Sequence, residues 1–168
     1  MLPWNRNITF GEPGEVWISI NNKHLFNMAF DKELNLSFAI WDFENNTHDV
    51  ITNDLGLSPS KIFVKGERIS PKISKIRKRN AWIYGPSYGN TEDFETQLNK
   101  LLDVLEPRIP ILKEYSKKYP CDFSLAYFCS ALGYKPPLIH LGKRYHDFIR
   151  EVDAEFDLDL YYSPLDEE

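Results

Sequence analysis

The ten residues Cys121-Asp-Phe-Ser-Leu-Ala-Tyr-Phe-Cys-Ser130 carry the clearest structural pattern in the sequence. Apolar side chains occupy every second position, at Cys121, Phe123, Leu125, Tyr127 and Cys129. Alternation with a period of two is typical of a β-strand that buries one face. The stretch therefore predicts a strand whose odd-numbered side chains face a core.

A second long strand is predicted at residues 35–43, where apolar residues occupy both faces. A strand that is apolar on both sides is expected near the centre of a sheet. Shorter strands are predicted at 15–20, 61–65, 81–84 and 138–141. A last strand is predicted at 157–162, with Leu158, Leu160 and Tyr162 on its buried face.

Helical periodicity appears between these strands. The clearest helix follows Asn90 or Thr91 as its N-cap and ends before Pro107. Its apolar side chains fall on one face: Phe94, Leu98, Leu101, Leu102 and Leu105. Two further amphipathic helices are predicted at 110–119 and 143–155, and a short one between the cap residue Thr47 and Gly56.

Strands mixed with three amphipathic helices indicate an α+β fold, in which the helices cover one face of a mostly antiparallel sheet. A ferredoxin-like variant is the first topology we expect. The chain divides into an N-terminal extension with strand character at 1–34, a single α+β domain at 35–163 and an acidic tail at 164–168.

Composition excludes several classes of protein. The chain has 168 residues, of which 42% are hydrophobic and 27% charged, as expected of a folded domain. No apolar run of about 18 residues is present to cross a membrane, and the N-terminus does not resemble a signal peptide. Cys121 and Cys129 would lie about 26 Å apart along one strand, too far for a disulfide. These features predict a cytoplasmic protein with reduced thiols.

The sequence offers no catalytic signature. It contains no glycine-rich phosphate loop, no G-x-S-x-G elbow, no H-E-x-x-H motif and no C-x-x-C pair. We therefore predict no catalytic residues, no metal site and no cofactor, and favour a protein that is not an enzyme. An enzyme whose site is assembled only in three dimensions stays an alternative.

The segment from Lys61 to Arg79 contains eight basic residues against the single acid Glu67. Such a run is a candidate anion-binding site, formed by Lys72, Lys75, Arg77, Lys78 and Arg79, although a solvated loop has the same composition. Nucleic-acid binding through this segment and nearby aromatic residues is an alternative. The formal net charge of −5 argues against it.

The C-terminal end is strongly acidic, with nine acidic residues against Arg150 from residue 147 onward. An acidic surface can steer a protein onto a basic partner. The candidate contact residues are Asp153, Glu155, Asp157, Asp159, Asp166, Glu167 and Glu168.

Residues 49–162 resemble a bacterial family known as domain-of-unknown-function family 4279. The resemblance is carried by Asp54-Leu-Gly-Leu-Ser-Pro-Ser60, Lys65-Gly66, Trp82, the apolar face of the helix at 94–105 with Pro107, and Leu158-Asp-Leu-Tyr161. It implies a compact bacterial cytosolic α+β domain and supplies no catalytic residues.

The leading functional hypothesis is a non-catalytic protein-binding domain. Its most concrete form is an immunity or inhibitor protein that docks on a toxin or another basic protein.

Overall fold

The computed structural model describes residues 8–10, 16–18, 33–71, 73–85, 92–130 and 137–163. Its elements, in chain order, are β1 (Ile8–Phe10), β2 (Val16–Ile18), β3 (Glu33–Trp41), α1 (His48–Leu55), β4 (Lys61–Phe63), β5 (Arg68–Ser70), β6 (Ile73–Ile76), β7 (Ala81–Tyr84), α2 (Phe94–Leu105), α3 (Ile109–Ser116), β8 (Cys121–Ser130), α4 (Lys143–Glu151) and β9 (Glu155–Ser163). A single 3₁₀ turn, Glu106–Arg108, joins α2 to α3.

Five of the described strands form one sheet in the order β4-β7-β3-β8-β9. All neighbours are antiparallel except β8 and β9, which are parallel. The four strands β3, β4, β7 and β8, with their intervening helices, follow the split β-α-β pattern of a ferredoxin-like fold. The α4–β9 unit adds the fifth strand. The predicted α+β class with a mostly antiparallel sheet is confirmed.

All four described helices contribute side chains to a core on one face of the sheet. The sheet supplies the even-numbered residues of β3 and the odd-numbered residues of β8, as the period of two requires. Phe38 and Phe123 meet edge to face at 5.3 Å, and both meet Phe148 of α4 in the same manner. The predicted buried face of the 121–130 strand is confirmed from Cys121 to Tyr127.

The opposite face of the sheet, which we call the open face, carries a smaller apolar cluster. It consists of Ala39, Trp41, Phe63 and Ala81, with Ile83 packed against them. The β5–β6 hairpin lies beside this cluster, and its Ile69 is buried. The interpretation of the basic segment as a solvated loop is wrong for this part, because Arg68–Ser70 and Ile73–Ile76 form a two-stranded sheet.

Several element boundaries differ from the predicted ones. The N-cap of α2 is Asp93, whose Oδ1 accepts a hydrogen bond from the Thr96 amide at 2.8 Å. The predicted cap residues Asn90 and Thr91 lie outside the described residues. The helix α4 ends at Glu151, because Asp153 adopts a left-handed backbone with φ of 27°. Residues 137–142 form no strand. The predicted limits of α1, Thr47 and Gly56, are confirmed.

The β1–β2 hairpin is antiparallel, and β1 contacts β5. The strand predicted at 15–20 is confirmed for Val16–Ile18, and its first residue and last two residues lie outside the described ranges. The described part of the main domain begins at Glu33, the first residue of β3. Among the described helices, none has the length and apolar character that a membrane crossing requires.

Helix α2 is fixed to the edge of β3 by a buried amide. β7 pairs with β3 only from Phe38 onward, so no strand among the described residues pairs with Leu34 and Leu36 on that side. Instead, Gln97 Oε1 accepts from the Leu36 amide at 2.9 Å, and Gln97 Nε2 donates to the Leu34 carbonyl at 2.7 Å. One side chain thereby satisfies two backbone groups that would otherwise be buried without partners.

We expect Gln97→Ala to destabilise the fold by about 2–4 kcal/mol, because it leaves the Leu34 carbonyl and the Leu36 amide buried and unpaired. Urea unfolding followed by circular dichroism measures the change in the free energy of unfolding. The control is Glu95→Ala, an exposed position on the same helix, for which we expect a loss below about 1 kcal/mol. Equal losses in the two variants would contradict this role of Gln97.

Candidate functional site

Carboxylates gather on the open face where β8 and β9 run side by side. The register places Asp122 beside Glu155, Ser124 beside Asp157, and Ala126 beside Asp159. Partners in a parallel pair project to the same face of the sheet. Asp122, Glu155, Asp157 and Asp159 therefore share the open face, and we call these four residues the acidic strip.

Asp122 is the most buried member of the acidic strip. Its Oδ2 accepts a hydrogen bond from Trp41 Nε1 at 2.8 Å, whereas its Oδ1 is buried with no hydrogen-bond partner. Burial raises the pKa of Asp122 to about 6, and the charges of Asp157 and Glu155 act in the same direction. The Trp41 hydrogen bond and the charge of Arg79 oppose this rise.

The other members of the strip reach farther toward solvent. Glu155 is exposed, and Asp157 and Asp159 are half-buried. Burial raises the pKa of Asp159, and the Tyr161 hydroxyl donates to its Oδ2 at 3.1 Å. Within the described ranges, no ion pair joins any of these β9 acids to a lysine or arginine.

Several acidic residues elsewhere in the domain form ion pairs. On the helix layer, Arg144 bonds both Asp103 and Glu106 at 2.7 and 2.6 Å, which ties α4 to the C-terminal end of α2. Near the start of α1, Glu44 pairs with Lys65. The three β9 acids of the strip differ from these residues, since within the described ranges no ion pair ties them to another element.

β9 lies at an edge of the sheet and is accessible from both faces. On its helix side, Phe156 packs against Phe94 and Tyr145, but Leu158 and Leu160 are 41% and 61% exposed. The prediction that Leu158 and Leu160 face a core is wrong. Their alternation is that of a strand with one buried face, but β9 is the outermost of the described strands, and Phe156 is the one described side chain of β9 that packs against the core.

The remaining predicted acidic contacts are separate from the strip. Asp153 is exposed in the turn that precedes β9. The tail residues Asp166, Glu167 and Glu168 lie outside the described residues, and their role stays a prediction. Sequence reasoning found Glu155, Asp157 and Asp159 but missed Asp122. The placement of Asp122 on the face opposite the core could have been predicted, since Asp122 is an even-numbered residue of the 121–130 strand and the odd-numbered residues of that strand are predicted to face the core.

Two arginines of the basic segment cover the apolar cluster of the open face. The Arg77 guanidinium lies 3.8 Å from the centre of the Phe63 ring, and that of Arg79 lies 4.9 Å from Trp41. Arg79 Nε also donates to Asp42 at 2.9 Å. Guanidinium groups over aromatic rings are a stabilising arrangement. This packing gives both arginines a structural role.

The other basic candidates are placed differently. Lys75 and Lys78 are exposed, and Lys72 lies outside the described residues. Lys61 packs on Phe63, and burial lowers its pKa to about 7, with the charge of Arg77 acting in the same direction. Anion binding by this segment stays a prediction.

The described part of the chain shows little that could support catalysis. A pocket between the β5–β6 hairpin and the open face holds only about 10 Å³, room for about one water molecule. Burial raises the pKa of the Cys121 thiol to about 12, so it stays protonated near neutral pH. Over the same ranges, no group of three or more His, Cys, Asp or Glu side chains is arranged to hold a metal ion.

The fold and the strip define an α+β domain with an acidic sheet edge. A family model described as a domain of unknown function (DUF4279) matches residues 32–163, and the chain belongs to this family. The family boundary agrees with the start of β3 and the end of β9. No curated protein and no solved structure matches the chain.

We expect Asp122 to make the stability of the domain depend on pH. Because burial raises its pKa in the folded state, its contribution to stability is full below about pH 4 and is lost as the pH rises through about 6. Asp122→Asn keeps an oxygen for Trp41 and cannot ionise. The variant should match the wild type at about pH 4 and exceed it by about 1–2 kcal/mol at about pH 8.

Urea unfolding at several pH values measures this difference, with Glu95→Gln as the control for the loss of an exposed carboxylate. A difference between Asp122→Asn and the wild type that stays constant from acid to alkaline pH would contradict the titration of Asp122.

Proposed function

We propose that this domain is a non-catalytic binding protein that docks on a basic protein through the acidic strip. The observation that carries the proposal is the row of Glu155, Asp157 and Asp159, which lies on one face of an edge strand without cationic partners among the described residues. The proposed role is that of an immunity or inhibitor protein, and the partner is a bacterial toxin.

The electrostatics of the strip support a partner of opposite charge. Residues two apart on a strand project side by side, so the three β9 acids repel one another and the neighbouring Asp122. A domain gains no stability from this arrangement. A basic surface brought against the strip relieves the repulsion, and long-range attraction raises the rate of encounter.

The chemistry of toxins that act on nucleic acid fits this surface. A protein that binds phosphates presents lysine and arginine side chains at its site. Carboxylates spaced along a rigid strand can occupy that site in place of phosphates. Because β8 and β9 hold the carboxylates in a fixed register, little conformational entropy is lost on binding.

The test begins with the full chain carrying an affinity tag. A pull-down from the native host, followed by mass spectrometry, identifies any stoichiometric partner. Coexpression then shows whether the domain relieves a growth defect that the partner causes. Absence of any stoichiometric partner would count against the proposal.

With the purified partner, we expect the triple variant Glu155→Gln/Asp157→Asn/Asp159→Asn to associate about tenfold more slowly at low salt, because electrostatic steering is lost. Its association rate should also depend less on salt than that of the wild type. Surface plasmon resonance at low and high salt measures both effects.

The matched control removes three exposed carboxylates elsewhere, in Glu44→Gln/Glu95→Gln/Glu114→Gln. This control has the same net charge as the strip variant and should keep most of the wild-type association rate. An equal loss of rate in the two triple variants would show that net charge, and not the acidic strip, drives the encounter.

A further inference from the structure

The two edges of the main sheet differ in length. At one edge, β4 has 3 residues, whereas β9 at the other has 9. An edge strand presents a row of backbone N–H and C=O groups that are not paired within the sheet, and a long one is a template for a further strand. Within the described ranges, no strand lies beyond β9.

The two faces of β9 carry different chemistry. Glu155, Asp157 and Asp159 project to the open face, and Leu158 and Leu160 project to the helix side, where both are exposed. A strand added beside β9 has the same period of two, so it places alternate side chains on these two faces. Its best partners are cationic side chains on the open face and apolar side chains beside the leucines.

A second copy of this chain is a poor occupant of the edge. Antiparallel pairing of two β9 strands would bring carboxylates opposite carboxylates on the open face. Like charges directly opposite one another across a strand pair are destabilising. The charge pattern therefore discriminates against self-association and selects a strand of opposite charge.

We propose that the partner binds by adding an extended segment to the outer edge of β9, and that this segment alternates lysine or arginine with apolar residues. This inference rests on the proposed function and names the part of the partner that the site recognises. Main-chain hydrogen bonds to β9 supply affinity, and the two faces of β9 supply specificity.

The probe for this inference is an acetylated, amidated peptide of about eight residues, close to the length of β9, in which arginine and valine alternate. The control peptide has the same composition with all arginines at one end, so charge is kept and the period of two is lost. Isothermal calorimetry with the full chain measures both affinities. We expect the alternating peptide to bind about tenfold more tightly.

Hydrogen–deuterium exchange gives the structural readout. Addition of a strand should slow amide exchange in residues 155–163 and leave β4 unchanged, because only the β9 edge gains hydrogen bonds. Equal binding of the two peptides, binding without protection of β9, or no binding of either peptide would each overturn the inference.

Matched leucine variants distinguish the contribution of the apolar side chains of β9 to binding from that of its charges. Leu158→Thr and Leu160→Thr keep β propensity and remove aliphatic surface, and each should weaken the alternating peptide about threefold to tenfold. Leu138→Thr is the control, since Leu138 is 88% exposed and lies outside the strand. An equal effect of all three variants would contradict a role for the helix side of β9.

The outcomes also separate this inference from the proposed function. If binding of a native partner needs Glu155, Asp157 and Asp159 but its affinity is unchanged in Leu158→Thr and Leu160→Thr, strand addition is overturned. The proposed function would then remain intact. If neither peptide binds and the strip variant self-associates, the acids serve only to guard the edge against pairing with other strands.

Discussion

The pairing of β3 with β8 is the constraint on which the rest of the structure depends. These two strands are in register from Glu33 with Phe128 to Ile40 with Cys121, the longest antiparallel ladder among the described elements. Their helix-side residues form the floor of the core, where Leu36, Phe38, Phe123 and Leu125 are fully buried. Because a strand presents alternate residues to opposite faces, this ladder also decides which side chains reach the open face.

The open face of the sheet carries both charged and apolar side chains. At one end, the Arg77 guanidinium lies over the Phe63 ring and that of Arg79 over the Trp41 ring, and contacts of this kind between a cation and an aromatic ring are stabilising. From Trp41 toward β9, carboxylates accumulate, and Asp122, which accepts a hydrogen bond from Trp41 through one oxygen, keeps the other oxygen buried without a hydrogen-bond partner. The three β9 acids of the strip lie on the outermost described strand, where Glu155 is exposed and Asp157 and Asp159 are half-buried.

Much of the fold could be predicted from sequence because its strongest patterns are local. Alternation in 121–130 and the apolar face from Phe94 to Leu105 each indicate one element, and both elements are present. The β5–β6 hairpin was missed, since Ile69 is the one buried apolar residue among its described side chains and lies in a segment rich in charged residues. The buried amide of Gln97 was also missed, because it satisfies backbone groups more than 60 positions earlier in the chain.

Local patterns in the sequence are sufficient to predict the α+β class, the central strands, the amphipathic helices and the alternation of acidic with apolar residues along 155–160. They do not show that this alternation belongs to an edge strand, that Leu158 and Leu160 are exposed, or that Asp122 joins the β9 acids, all of which follow from the fold. The physical reason is that periodicity reports which side chains share a face. Strand order and register decide what covers that face, and they depend on contacts between residues far apart in the chain.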